Sequence, residues 1–277
     1  MELADYVRWA KKQQPFSRLG FFSQPVLATQ GPLAGHMLKV YPATRKEAKA
    51  LRLQKLHVGY VRELAATGRR IPQTRMEIVP VGRTWVPLII QEAFAKEDLV
   101  RQYLEAVPEH EEYLRVLGLI LEDTLRYLEH RAIQPHPPLG FHPTLRNYAL
   151  RLNKLYYFDT FPPMNMNQRE LNKLIRDTLP QAILRLLARL YPPMLNRVSH
   201  EYYDATAMVT GIVGSACRLR PEWAESTLAC CRAYLEANTS DRLPKQSILD
   251  KLQEKPKLSF GWTTIRKLTN NIGKPNI

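Results

Sequence analysis

The sequence has little of what marks a secreted, membrane-spanning or metal-cluster protein. Its 277 residues include three cysteines, Cys217, Cys230 and Cys231, whose spacing fits neither a metal-ligand motif nor a disulfide framework. No apolar run approaches the roughly 20 residues that a transmembrane helix needs, and the most apolar one spans only Met208 to Cys217. The first residues lack the basic start and apolar core of a signal peptide. We therefore expect a cytoplasmic protein with buried, reduced thiols.

Acidic residues are also scarce relative to basic ones. The chain has 40 Lys and Arg against 26 Asp and Glu, which gives a net charge of +14 at pH 7. This charge favours an anionic partner but does not choose between a nucleotide, a nucleic acid, an anionic small molecule and an anionic surface. The basic residues are spread along the chain, and no recognition motif for nucleic acid accompanies them. A generally basic, solvated surface is the ordinary explanation.

Strand-like patterns come first in the chain and helical patterns follow. Apolar patterning predicts strands at 16–22, 25–29, 36–41, 75–81 and 84–91. Helical spacing predicts helices at 2–12, 43–67, 96–106, 110–130, 168–191, 196–219, 221–237 and 247–254. This order predicts an α+β fold with a sheet-rich first part, residues 1–94, and a helical second part, residues 95–277.

One segment in the helical part carries a candidate metal site. Its sequence from Leu139 to Met164 is LGFHPTLRNYALRLNKLYYFDTFPPM. Residues 148–152 and 155–158 predict a hairpin, with the tight turn at Asn153-Lys154 because Asn tolerates a positive φ. Asn147 precedes this hairpin and Asp159 follows it. An amide oxygen and a carboxylate at one edge of a hairpin are suited to holding Mg²⁺ against phosphate oxygens.

This segment resembles the catalytic segment of the protein-kinase-like superfamily, in particular its aminoglycoside- and choline-kinase-like branch. The resemblance implies that Asn147 and Asp159 are metal ligands, with Asp159 at the position of the Asp in the Asp-Phe-Gly element. It places His142, five positions before Asn147, where the family has the Asp that accepts the substrate hydroxyl proton. Because a neutral imidazole accepts a proton near pH 7, His142 is either a substituted base or a structural remnant of a lost activity.

The resemblance also implies nucleotide-binding residues in the first part of the chain. Lys39 matches the lysine that contacts the α- and β-phosphates; the alternative interpretation is a strand lysine that extends into solvent. Glu47 is either the residue that orients Lys39 or the end of a capping box that starts at Thr44. Glu92 and Phe94 fall in the segment expected to connect two lobes, where backbone groups meet an adenine ring.

We therefore expect a two-lobed, protein-kinase-like α+β fold, with a small antiparallel sheet in one lobe and mostly helices in the other. It would bind ATP and Mg²⁺ and transfer a phosphoryl group to a hydroxyl of a small or anionic acceptor. Two hypotheses compete with this one: a catalytically inactive pseudokinase that acts as a nucleotide-binding or protein-interaction scaffold, and a basic nucleic-acid-binding protein. The expected site residues are Lys39, Glu47, Glu92, Phe94, His142, Asn147 and Asp159.

Overall fold

The computed structural model describes residues 2–16, 22–134, 138–179 and 192–256. This part of the chain has the α+β composition that the sequence predicts. Its helices are α1 Leu3–Ala10, α2 Glu47–Ala66, α3 Val100–Ala106, α4 His110–Ile133, α5 Gln168–Thr178, α6 Pro192–His200, α7 Ala205–Leu219, α8 Ala224–Asn238 and α9 Lys245–Lys251. Its strands are β1 Val26–Leu27, β2 His36–Val40, β3 Thr74–Val81, β4 Thr84–Glu92, β5 Tyr148–Arg151 and β6 Lys154–Tyr157. None of the described helices combines the length and apolar character needed to cross a lipid bilayer.

The first four strands form an antiparallel sheet in the order β1-β2-β4-β3. Helix α1 covers one face, where Tyr6 and Val7 pack with Leu38. Helix α2 covers the other face, where Leu53 joins a cluster that includes Tyr41. Because side chains alternate along a strand, Lys39 of β2 lies on the same face as Tyr41. The sheet therefore directs Lys39 toward α2 and the helical part of the protein.

Most of the helical part packs around α4. Leu117, Leu121, Leu125 and Leu128 of this helix are buried, as expected for apolar residues at helical spacing. The hydroxyl of Tyr113 on α4 donates to the backbone carbonyl of Ala216 on α7 over 2.8 Å. Strands β5 and β6 form a separate two-stranded hairpin. This hairpin carries the predicted catalytic segment.

The hairpin turn lies one residue earlier than predicted. Arg151 pairs with Lys154, so the turn residues are Leu152 and Asn153, with φ angles of 50° and 57°. A two-residue turn of this kind needs positive φ at both central positions. Leu152 adopts this positive φ while it is 88% exposed. Its side chain therefore makes no packing contact with the described residues that would hold it in the extended backbone of a strand.

The predicted capping box at the start of α2 is wrong. The helix begins at Glu47, and Lys46 is its N-cap residue. Thr44 instead forms an antiparallel bridge with Trp85, and its hydroxyl accepts a hydrogen bond from the Lys46 amide. A contact with the sheet therefore holds Thr44 and removes it from the helix.

Other element boundaries also differ from the prediction. The predicted helix 196–219 is two helices, because Asp204 caps α7 by accepting a hydrogen bond from the Ala207 amide. The strand at 25–29 contains only the two residues of β1. The predicted strand at 16–22 falls largely on residues outside the described part, as does the second half of the predicted helix 168–191.

Candidate functional site

A cavity of about 290 Å³ lies where the sheet meets the helical part. Strands β2 and β4 and the segment after β4 form one side, and residues between 142 and 164 form the other. Six of the seven predicted site residues line this cavity, and Glu47 does not. The six are Lys39, Glu92, Phe94, His142, Asn147 and Asp159.

Asn147 and Asp159 are in direct contact at this cavity. The Asn147 Nδ2 donates to Asp159 Oδ2 over 3.0 Å and to the backbone carbonyl of His142 over 2.9 Å. Because both oxygens accept from Nδ2, the nitrogen end of the Asn147 amide group faces Asp159. The Phe158 amide also donates to the Asn147 carbonyl over 3.0 Å. These contacts join the two strands at the end opposite the turn, which brings the two predicted metal ligands together.

Lys39 reaches the same place from the sheet. Its Nζ donates to the backbone carbonyl of Phe158 over 3.0 Å and lies 5.7 Å from the centroid of that ring. Burial lowers the pKa of Lys39, and the carboxylate of Asp159 opposes this by raising it. The structure thus brings Lys39, Asn147 and Asp159 to one cavity, although the lysine is more than a hundred residues away in the sequence.

His142 lies beside the two predicted metal ligands. Its Nδ1 is 3.9 Å from Asp159 Oδ2 and 3.5 Å from Asn147 Nδ2. The ring packs edge-to-face on Tyr202, with 4.8 Å between ring centroids. The side chains of His142 and Asp159 are each 31% exposed. The imidazole is therefore open to a bound molecule and can exchange a proton there when neutral.

Glu92 and Phe94 form the wall at the end of β4. The Glu92 carboxylate accepts a hydrogen bond from Arg151 Nη2 over 2.6 Å. The buried ring of Phe94 packs against Tyr156 and Phe158, with centroids 5.3 and 6.1 Å apart. The Glu92 side chain is therefore engaged with the hairpin, while Phe94 gives the cavity an apolar surface.

Glu47 is not brought to Lys39. It lies on the exposed first turn of α2, and in the described part of the chain no ion pair joins the two residues. Because α2 begins at Glu47, the helix residues that reach the cavity side lie further along it. The orienting role that the family resemblance implied for Glu47 has no geometric support.

The α2 residue closest to this chemistry is one that the sequence analysis missed. His57 is 1% exposed, and its Nε2 lies 3.0 Å from Oγ1 of Thr160, the residue after Asp159. Burial, together with the positive charge of Lys39, lowers the pKa of His57 to about 3. The signal was present in the sequence, since His57 shares a helical face with Leu53, Tyr60 and Leu64, all of which are buried.

The donor set suits a magnesium ion bound together with phosphate. In the residues that the structure describes, no three His, Cys, Asp or Glu side chains cluster in a way that could hold a metal alone. Asp159 supplies one carboxylate and Asn147 one amide oxygen, if its amide turns. Mg²⁺ at phosphate sites takes one or two carboxylates and completes its shell with phosphate oxygens and water. The residues present fit that arrangement better than a permanent structural metal.

A family model described as "Family of unknown function (DUF6206)" matches residues 2–273. The chain belongs to this family. A search of curated proteins found no match. The DUF6206 match spans both the sheet and the helical part, so both sides of the cavity belong to the same family unit.

Proposed function

We propose that this DUF6206 protein is a two-lobed, protein-kinase-like phosphotransferase that binds Mg-ATP in the cavity between residues 1–94 and residues 95–277. The observation that carries the proposal is the meeting of Lys39, Asn147 and Asp159. These three residue types are the ones that phosphoryl transfer uses to neutralise phosphate charge and to hold the metal. Neither the sheet nor the hairpin could assemble them alone.

Each of these residues has a defined electrostatic role. The Lys39 ammonium replaces its bond to the Phe158 carbonyl with bonds to phosphate oxygens. Asp159 and Asn147 would hold the metal, which would supply positive charge to stabilise the phosphoryl group during transfer. Because Lys39 is partly buried, its interaction with a phosphate is stronger than it would be in water.

The apolar part of the cavity suits an adenine ring. Phe94 and Met37 are both buried and both line the cavity. The backbone next to Glu92 and Phe94 would supply the polar contacts that select the base. A mostly apolar wall with a few polar groups is the usual composition of such a pocket.

The acceptor that fits best is a small anionic molecule with a hydroxyl group. Four basic residues line the cavity, Lys39, Lys96, Arg101 and Arg146, together with the acidic Glu92 and Asp159. Arg101 pairs with Glu105 and Glu92 pairs with Arg151. As the acceptor oxygen bonds to the γ-phosphorus and the bond to the β-phosphate oxygen breaks, the hydroxyl proton passes to a neutral His142. ADP and the phosphorylated acceptor are the products.

A nucleotide-binding scaffold without transfer activity is the second candidate. It is favoured by His142, which stands where the resemblance expects a carboxylate and which would repel a metal when protonated. Both candidates require Mg-ATP binding, so turnover alone separates them. A cavity of about 290 Å³ matches a small molecule and gives no support to a nucleic-acid partner.

Thermal unfolding with and without Mg-ATP tests the proposal. A ligand that binds only the folded state stabilises it by about 2.7 kcal/mol at 100 times its Kd. We expect Mg-ATP to raise the Tm of the wild type but not that of Asp159→Ala or Lys39→Met. Lys49→Met is the matched control, because Lys49 pairs with Asp177 on the surface. An equal rise in Asp159→Ala and wild type would contradict the proposal.

A further inference from the structure

Helix α2 is tied to the predicted catalytic segment at successive points along one face. The Tyr60 hydroxyl donates to the Gly140 carbonyl over 3.0 Å. The Glu63 carboxylate accepts from the side-chain amide of Asn165, just after this segment, over 3.1 Å. The contact between His57 and Thr160 is the one that lies next to Asp159. It is therefore the contact through which α2 can act on the metal site.

Residues 158–160 are each held by a side chain from a different part of the fold. Lys39 of β2 bonds the carbonyl of the first residue, Asn147 bonds the carboxylate of the second, and His57 of α2 bonds the hydroxyl of the third. The first two partners are parts of the proposed site themselves. The third does not line the cavity, and it reaches Asp159 through the neighbouring Thr160.

Burying the His57 ring costs more free energy than burying an aliphatic side chain at the same place would. It is 1% exposed, and Thr160 is fully buried. The His57 Nδ1 is buried without a hydrogen-bond partner in the described part of the chain. An unsatisfied buried polar atom destabilises the folded state, and an aliphatic residue would avoid that cost. The contact with Thr160 is the feature that an aliphatic residue could not supply.

The contact with Thr160 exists in either neutral tautomer of the ring. With the hydrogen on Nε2, the ring donates to Thr160 Oγ1; with the hydrogen on Nδ1, Nε2 accepts from the Thr160 hydroxyl. A neutral imidazole therefore links α2 to Thr160 in both cases.

We propose that His57 is the positioning residue for Asp159, because the hydrogen bond between its Nε2 and Thr160 Oγ1 fixes from α2 the backbone that presents the Asp159 carboxylate. This inference rests on the proposed role of Asp159 in metal binding. It gives a neutral imidazole a link between α2 and the site, where the family resemblance implied a contact from Glu47. A displacement of α2 would then weaken metal binding without changing the contacts between the protein and the nucleotide.

Two pairs of variants test the link. Gln at position 57 places an amide nitrogen close to the Nε2 position, whereas Asn is too short to reach Thr160. Thr160→Ser keeps the hydroxyl, whereas Thr160→Val keeps the shape without it. We expect His57→Gln and Thr160→Ser to behave as the wild type. We expect His57→Asn and Thr160→Val to need about five times more Mg²⁺ for ATP binding, the effect of losing one hydrogen bond.

The affinity for ATP without metal separates positioning from a merely structural role. Positioning predicts that this affinity stays constant in all four variants, and that the Mg²⁺ effects of His57→Asn and Thr160→Val do not add in the double variant. Equal losses with and without Mg²⁺, or unchanged Mg²⁺ dependence in Thr160→Val, would overturn the inference.

A ligand-free measurement distinguishes failure of this inference from failure of the proposed function. Amide hydrogen exchange at residues 158–161 should be faster in Thr160→Val than in Thr160→Ser if His57 fixes this backbone. If Mg-ATP does not stabilise the wild type but the two variants differ in amide exchange, the proposed function is refuted and the link between His57 and Thr160 is retained. Equal exchange in the two variants would refute the link itself, whatever the nucleotide does.

Discussion

The side-chain amide of Asn147 donates to Oδ2 of Asp159 over 3.0 Å. Two residues separated by a hairpin are thus held in register before any ligand arrives. A carboxylate whose orientation is already fixed loses less conformational entropy when it binds a metal. The contact makes Asn147 the group that orients Asp159.

Asn147→Ala should weaken Mg-ATP binding more than ATP binding alone. Removing a group that orients a metal ligand typically costs about 10- to 100-fold in metal affinity, and we expect a loss in that range. Calorimetric titration with and without Mg²⁺ measures it. Asn238→Ala is the control, because Asn238 is exposed and its side chain donates to the Tyr234 carbonyl within α8. Equal Mg²⁺ affinity in Asn147→Ala and the control would remove Asn147 from the site.

His142→Ala should lose phosphoryl transfer while Mg-ATP binding persists. A positioned general base contributes about 10²- to 10⁴-fold to a rate, so turnover should fall by that factor. ADP formation with a panel of anionic hydroxyl compounds measures it. His200→Ala is the control, since His200 lies on the surface with a side chain that is 65% exposed. A wild type that binds Mg-ATP without turnover on any acceptor would favour the scaffold.

His57 should make the fold sensitive to acid. Its pKa is about 3 in the folded protein, against about 6.5 in an unfolded chain. Between these values the unfolded chain binds a proton that the folded protein excludes, so the free energy of unfolding falls as the pH falls. From pH 7.5 to pH 5 the loss should be about 2 kcal/mol. Urea unfolding across this range should show the loss in wild type and a smaller one in His57→Gln, and identical pH profiles would contradict it.

Arg69→Met should destabilise the fold strongly. The Arg69 Nε lies 2.9 Å from Asp123 Oδ2, its Nη1 donates to Thr67, and its guanidinium lies 3.7 Å from the Phe141 ring centroid. Removing one partner of a buried ion pair leaves the other charge uncompensated, at a cost of about 3 to 5 kcal/mol. Chemical denaturation measures this loss.

The exposed pair between Arg75 and Glu77 gives a matched control for that result. Its atoms are 3.4 Å apart, and the two side chains are 47% and 36% exposed. Exposed pairs of this kind contribute about 0 to 1 kcal/mol, so Arg75→Met should change the free energy of unfolding by no more than that. A similar loss of unfolding free energy in both variants would show that the buried contacts of Arg69 stabilise the fold no more than an exposed ion pair does.

The hairpin could be predicted from sequence because its signals are local. Two alternating segments with an Asn between them define both strands, and Asn147 and Asp159 then fall at one end. The turn was misplaced by one residue because nothing in the sequence marks Leu152 as able to adopt a positive φ. Its exposure, which makes this tolerable, depends on the surrounding fold.

The meeting of Lys39 with the hairpin could not be predicted from local patterns. It depends on packing between the sheet and the helical part, and the expectation came from the family resemblance. The error at Glu47 has the same origin. The pattern from Thr44 to Glu47 is a valid capping signal, but the bridge between Thr44 and Trp85 is a long-range contact that competes with it.

Titration with Mn-ATP, observed through the NMR signals of the protein, tests the central claim most directly. Mn²⁺ replaces Mg²⁺ and broadens the signals of nearby nuclei. The account predicts that His142, Asn147 and Phe158 broaden first in the wild type, and that Asp159→Ala abolishes the effect while Lys49→Met preserves it. Broadening centred elsewhere on the surface, or its persistence in Asp159→Ala, would contradict the claim that Asn147 and Asp159 hold the metal.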